Sequence, residues 1–310
     1  MRVLITCRQM QNCIELFRPQ FDERNIEIDM PAVVQQPSEE DLMAIIGNYE
    51  GMIAGDDPLT SRVLEKAERM RIISKWGVGI DGIDLESARE LGIAVTNTPG
   101  VFGDDVADVA AGYMVMLARQ LHRIHESVRD GGWWKHEGRV LAGSTLGIAG
   151  FGSIGRSVAR RGWGFGMNVI AHDPNASAFD SDPIGDVESV SRDELFRRSD
   201  FLVLCTPLSE HTRHMVDSRA LEQMRDGAFL VNVARGQLVD EPALVGALES
   251  GRIAAAALDV FEEEPLSADN PLRAFPQCVF GSHNGSNTEE GVVRASALAV
   301  DNLMAGLDKA

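Results

Sequence analysis

Short apolar runs alternate along the whole chain with longer stretches in which apolar positions recur every third or fourth residue. In the first hundred residues the runs are Val3-Leu4-Ile5, Ile26-Glu27-Ile28, Met52-Ile53-Ala54 and Ile72-Ile73. Bounded by turn residues, such runs predict strands, and the periodic stretches at 14–21, 39–46 and 62–68 predict helices. After the turn Asn97-Thr98-Pro99-Gly100 comes a long helical pattern over 104–129, with Val106, Val109, Ala110, Met114 and Leu117 on its apolar face. Further strands are predicted at Leu146 to Ala149, Val169-Ile170-Ala171, Phe201-Leu202-Val203-Leu204, Phe229-Leu230-Val231, Ala255 to Leu258 and Val279-Phe280, and an amphipathic helix over 288–307 closes the pattern. Strands alternating with helices predict parallel sheets, and the chain is long enough for two such α/β domains.

One strand-to-helix junction carries a specific signal. The strand at Leu146 to Ala149 runs into Gly150-Phe-Gly152-Ser-Ile-Gly155, a helical pattern follows, and the next strand ends at Asp173. In that frame Gly150 permits a tight turn, Gly152 lets backbone approach a pyrophosphate, and Gly155 lets the helix pack close to its strand. The positive helix N-terminus then meets the phosphates. Asp173 is placed to accept ribose hydroxyls and to repel a 2′-phosphate, which points to NAD rather than NADP. Gly162-Trp-Gly164-Phe-Gly166 lacks this frame and is read as a glycine-capped helix end. The pair Gly77 and Gly79 does not match the fingerprint either, so no second nucleotide site is expected.

Ligands of open α/β sheets lie beyond the carboxyl ends of the strands. Three such ends carry polar residues: Asn232-Val-Ala-Arg235-Gly236, the acidic stretch 259–265 that includes Asp259 and Glu264, and His283 in Gly281-Ser-His283-Asn-Gly285. Singly, Arg235 reads as a surface ion-pair residue, the acidic stretch as a solvated turn and His283 as a structural histidine. Together, at successive strand tips, a guanidinium, a carboxylate and an imidazole suffice for hydride transfer to a 2-keto acid.

With these segments, and with Lys75-Trp-Gly77-Val78-Gly79-Ile-Asp81 and Cys205-Thr206-Pro207-Leu208, the chain resembles the NAD-dependent D-2-hydroxyacid dehydrogenase family over essentially its whole length, and within it the D-3-phosphoglycerate dehydrogenases. The resemblance implies a Rossmann-type cofactor domain over 98–286 and a flavodoxin-like, discontinuous substrate domain over 1–97 and 287–310, with the active site in the cleft between them. It implies that His283 moves the substrate proton, that Glu264 orients the imidazole and stabilises its protonated form, and that Arg235 grips the substrate carboxylate. Backbone N–H groups of Val78 and Gly79 would take the other carboxylate oxygen. Lys75 would either hold an anionic substrate tail or lie on the surface. Cofactor contacts are implied for Gly150, Gly152, Ser153, Ile154, Gly155, Asp173, Thr206, Pro207, Val233, Ala234, Asp259 and Gly285. A homodimer built through 104–129 is implied as well. The expected substrate is a small anionic 2-hydroxy or 2-keto acid, with 3-phosphoglycerate first and glyoxylate or hydroxypyruvate close behind.

The chain departs from the family pattern at Phe102-Gly103-Asp104-Asp105, at Asp108 where Glu is frequent, at Ser282 where Pro is usual, and at Asn284-Gly285. No catalytic group is lost, but the shape of the substrate pocket is left open. An NAD-sensing corepressor would need a docking groove or tail that this sequence does not display, and formate-type relatives replace the residue at Glu264.

Composition narrows the picture further. With 29 basic and 47 acidic side chains the net charge is −18, which argues against nucleic acid as a partner. No apolar stretch reaches membrane-spanning length and Arg2 leads directly into a strand, so neither membrane insertion nor a secretory signal is expected and a cytoplasmic location is. The cysteines Cys7, Cys13, Cys205 and Cys278 are scattered, which predicts free thiols and no metal site. A chain ending at Ala310 leaves no room for a C-terminal regulatory domain, so feedback through one is not expected.

Overall fold

The computed structural model describes residues 1–32, 37–179 and 187–309. The chain divides into two compact units, Met1–Phe102 with Asn287–Ala310, and Gly103–Ser286. The first break falls a little later than the turn at Asn97 would place it, because that turn packs within the first unit. Thr98 is buried, its hydroxyl accepts the Gly77 N–H at 2.9 Å, and Phe102 lies against Trp76 with ring centroids 5.3 Å apart.

The first unit holds a parallel sheet of β1 (Arg2–Ile5), β2 (Glu27–Asp29), β3 (Gly51–Ala54), β4 (Ile72–Lys75) and β5 (Ala94–Thr96), in the order β2-β1-β3-β4-β5. This is the flavodoxin-like order, with its switch point between β1 and β3. The inner strands β3 and β4 are buried throughout, as both faces of a helix-covered parallel sheet require. The edge strand β5, half exposed, was not among the expected strands, because Ala94-Val95-Thr96 is too short to give a pattern. The terminal helix Glu289–Asp308 closes one face. A Cβ on Gly51 would stand 2.8 Å from Leu303, and one on Gly306 would stand 2.6 Å from Ile72. Two expected helices are shorter than their patterns. Residues 14–21 form a 3-10 turn, Ile14–Leu16, and a separate helix, Arg18–Asp22, that restarts where Pro19 has no N–H to continue the ladder. Residues 62–68 give only Ser61–Leu64.

The second unit holds β6 (Thr145–Ala149), β7 (Asn168–His172), β8 (Glu188–Ser189), β9 (Phe201–Leu204), β10 (Ala228–Asn232), β11 (Ile253–Leu258) and β12 (Val279–Phe280). Their order, β12-β11-β10-β9-β6-β7-β8, is that of a Rossmann sheet, parallel throughout and reversing between β6 and β9. The helical stretch 104–129 is two helices rather than one. Gly103–Arg119 and Leu121–Arg129 are separated by Gln120, which takes a left-handed φ of 51° while its amide donates to the carbonyls of Leu117 and Gln277. The basic run 156–161 is partly spoken for: Arg161 pairs with Asp104 and Asp108 of the helix Gly103–Arg119. Among the described residues no helix is long and apolar enough to cross a membrane.

Candidate active site

The glycine turn after β6 is shaped by close approach. Gly150 has φ +91°, and a Cβ there would stand 2.8 Å from backbone atoms of Cys205 and Thr206, so the turn rests directly on the segment that follows β9. A Cβ on Gly155 would lie 2.1 Å from the Gly150 carbonyl oxygen, which leaves no side chain possible at that helix–strand contact. Gly152 differs: it is exposed, and nothing lies within 4 Å of where its Cβ would be. Ser153 and Ile154 open the helix Ser153–Gly164, which has no acidic residue in its first turn to compete for its free N–H groups. Asp173, just past β7, accepts the Phe151 N–H at 2.7 Å and the Asn175 N–H at 2.9 Å, so it ties the β7 end to the turn. An open cradle at a helix N-terminus with a carboxylate at the neighbouring strand tip fits a dinucleotide.

The tips of β10, β11 and β12 are tied to one another. Buried Asn232 ends β10; its amide donates to the Arg235 carbonyl at 2.8 Å and its oxygen accepts the Ala234 N–H at 3.1 Å, which shapes the turn that presents Arg235. The Arg235 guanidinium donates to the Ala234 carbonyl at 2.8 Å. A Cβ on Gly236 would overlap the Phe261 backbone, so this turn packs against the loop after β11. That loop carries Glu264, whose Oε1 accepts the Phe261 N–H at 3.0 Å and whose Oε2 lies 2.8 Å from His283 Nδ1. The His283 N–H in turn donates to the Asp259 carbonyl at 2.7 Å, and His283 sits at φ 55°, a left-handed conformation that non-glycine residues adopt at a cost. Imidazole and carboxylate are each about a quarter to a third exposed, reachable but largely withdrawn from solvent (31% and 24%).

Asp259 is 2% exposed, and its carboxylate is engaged within the protein. One oxygen accepts the Tyr113 hydroxyl at 3.1 Å, the other the Gly285 N–H at 2.8 Å. Burial and the Asp259 charge both push the Tyr113 phenol up, so it stays a donor. A cavity of about 360 Å³ opens beside this pair, lined also by Val109, Met116, Ser282 and Asn284. Neither Tyr113 nor Asn232 was assigned a role from sequence. For Tyr113 the only available signal was a hydroxyl on an otherwise apolar helix face. Thr206 and Val233 are buried, Ala234 is half buried, and the Pro207 carbonyl accepts the Thr212 hydroxyl at 2.8 Å.

In the first unit, Lys75 ends β4 and is 6% exposed, which removes the surface alternative for it. Its ammonium donates to the Trp76 carbonyl at 2.7 Å and pairs with Asp56 at 3.1 Å. Val78 is exposed and Gly79 half buried, and the Asn97 amide holds the Val78 carbonyl at 2.7 Å. Among the described residues no group of three or more His, Cys, Asp or Glu is arranged to hold a metal ion.

Residues 111–285 match the family model of the D-isomer specific 2-hydroxyacid dehydrogenase NAD-binding domain. The chain belongs to the D-2-hydroxyacid dehydrogenase family. It is 38% identical over 269 residues to a hydroxypyruvate reductase of Thermotoga maritima, covering 85% of this chain and 87% of that one. It is 41% identical to a D-3-phosphoglycerate dehydrogenase of Methanocaldococcus jannaschii over 79% of this chain, but that match spans only 47% of the relative. The crystal structure of a glyoxylate reductase from Paecilomyes thermophila superposes with a TM-score of 0.86 at 31% identity, covering 100% of this chain and 96% of that one. The protein is thus an NAD-dependent 2-hydroxyacid dehydrogenase. NAD, when bound, accepts or supplies the hydride; Gly150, Gly152, Ser153, Ile154, Gly155 and Asp173 are the residues whose geometry suits its phosphates and ribose.

Proposed function

We propose that this dehydrogenase interconverts short 2-keto acids and D-2-hydroxy acids, with glyoxylate and hydroxypyruvate ahead of 3-phosphohydroxypyruvate. The observation that carries the chemistry is the 2.8 Å contact between His283 Nδ1 and Glu264 on neighbouring strand tips. A carboxylate at Nδ1 orients the ring and favours a proton there, which leaves Nε2 as the nitrogen that gives the proton to the substrate oxygen in reduction and takes it back in oxidation. Arg235, presented by the Asn232-braced turn, grips the substrate carboxylate and polarises the neighbouring carbonyl, a task for a planar fork rather than a point charge. The N–H groups of Val78 and Gly79 serve as the second pair of carboxylate donors. Thr206, Pro207, Val233, Ala234, Asp259 and Gly285 are assigned to the cofactor's nicotinamide half, with Asp259 acting through lone pairs that Tyr113 and Gly285 leave over.

The preference for unphosphorylated acids is supported by sequence relatives matched along most of their own length, several of which are named as reductases of glyoxylate or hydroxypyruvate. The 41% identity to a phosphoglycerate dehydrogenase keeps 3-phosphohydroxypyruvate as the second reading. NADH oxidation against a panel of 2-keto acids decides between them: fastest turnover on glyoxylate or hydroxypyruvate is expected, and a clear preference for the phosphorylated acid would reverse the order. A homodimer through 104–129 belongs to the same proposal. The helix Leu121–Arg129 has no buried residue, and Leu121 and Val128 are 44% and 47% exposed. Light scattering should give twice the chain mass, and a monomer at micromolar concentration would remove the dimer.

A further inference from the structure

We propose that Asp56 sets the charge of the substrate that this protein accepts. By neutralising Lys75 under the loop 77–79 it favours acids with one anionic group over acids that carry a second, such as a phosphate. The inference rests on the assignment of Val78 and Gly79 as carboxylate donors.

Lys75 is the last residue of β4, and its ammonium sits immediately beneath that loop: a Cβ on Gly77 would stand 3.1 Å from Nζ. A cation so placed would attract a second anionic group on a ligand held at Val78 and Gly79. Asp56 pairs with it from the neighbouring strand end at 3.1 Å, with its own side chain 62% exposed. The turn that carries Asp56 has little freedom to swing away. The Gly55 N–H donates to Asp57 at 2.7 Å, the Thr6 hydroxyl donates to the same Asp57 oxygen, and a Cβ on Gly55 would come within 3.3 Å of Cys7. Asp57 brings a second carboxyl to this edge of the sheet, 2% exposed, with its other oxygen lacking a hydrogen-bond partner among the described residues. Two carboxyl groups therefore lie with one ammonium beyond the ends of β1, β3 and β4, and the exposed one of Asp56 is its direct partner. A single substrate carboxylate can be bound there by backbone N–H groups alone, whereas a phosphate dianion meets an ammonium already paired with an exposed carboxylate.

The test is the ratio of kcat/KM for 3-phosphohydroxypyruvate to kcat/KM for hydroxypyruvate, with NADH, in wild type, Asp56→Asn and the double variant Asp56→Asn with Lys75→Met. The ratio should rise about tenfold in Asp56→Asn, mainly through KM, which is the scale of one charge contact partly screened by water. It should fall back when Lys75 is also removed. An unchanged ratio, a gain that persists in the double variant, or a wild-type preference for the phosphorylated acid overturns the inference. If the variants do not fold, wild type still decides. Added salt should lower KM for the phosphorylated acid more than for hydroxypyruvate, and equal or opposite responses overturn it. A wild-type protein that reduces neither compound would instead fail the functional reading on which the inference stands.

Discussion

Asp57 and Asp259 stand in corresponding places in the two units, each just past the carboxyl end of an inner strand and each 2% exposed. Their surroundings are opposite. Both oxygens of Asp259 are engaged, by the Tyr113 hydroxyl and the Gly285 N–H. Asp57 has its donors, Thr6 and Gly55, on one oxygen, and the other is buried without a partner among the described residues. Burial accordingly pushes the Asp57 carboxyl up to about 6. Equal burial therefore does not mean equal cost, because the number and placement of donors decide whether a buried carboxylate braces a site or strains it. In the second unit the satisfied acid holds together the strand tips that carry the chemistry. In the first unit the unsatisfied one lies beneath a turn whose exposed neighbour, Asp56, is proposed to tune the substrate.

The largest effect tests whether the braced tips are the catalytic ones. His283→Ala should lower kcat by about 10²-fold or more, with NADH affinity nearly unchanged in a fluorescence titration. A variant with wild-type kcat would take the chemistry away from this region. Next comes the brace itself. Asp259→Ala leaves the buried Gly285 N–H and the half-buried Tyr113 hydroxyl without their acceptor, and should cost on the order of 2 kcal/mol in urea unfolding. A loss of only a few tenths of a kcal/mol would mean that these contacts are dispensable.

The smallest effect has the opposite sign. Asp57→Asn keeps an acceptor for Thr6 and Gly55, puts a neutral amide where the unpartnered oxygen lies, and should stabilise by about 1 kcal/mol at pH 8. Because the folded-state pKa lies above the ordinary carboxyl value, folding takes up a proton at Asp57. The wild type loses stability as pH rises through about 6. The advantage of the variant should therefore be present at pH 8, shrink as pH falls through 6, and vanish below about 4, where the carboxyl is protonated in both states. A pH-independent difference between the two melting curves would show that charge at Asp57 is not its source.

Much of this site was legible because its residues sit at the ends of apolar runs. A run that ends in a polar residue marks a strand tip, and the parallel architecture puts all such tips on one edge of the sheet. Arg235, His283 and the glycine turn are of this kind, and Glu264 lies in the loop that one such tip opens. Other features left no local trace. Gln120 is an acceptable helix residue, and its left-handed conformation accompanies amide bonds to Leu117 and Gln277, the latter far away in sequence. The strands β5 and β8 are short and lie at sheet edges, where burial patterns fade. Lys75 was left between a surface role and a substrate role because its partner, Asp56, comes from the adjacent strand end rather than from its own segment.

Residue order alone was thus enough to specify two α/β units, a glycine fingerprint for NAD, and polar residues at successive strand tips, since each follows from local pattern; the roles of Arg235, Glu264 and His283 came from the family resemblance. Which buried charges are satisfied was settled only when strands distant in sequence came side by side. Asp259 met Tyr113 from a helix and Gly285 from another loop, and Asp56 met Lys75 across β3 and β4. The reason is range: backbone pattern acts over a few residues, whereas a hydrogen bond or ion pair depends on atoms within about 3 Å, whatever their distance along the chain.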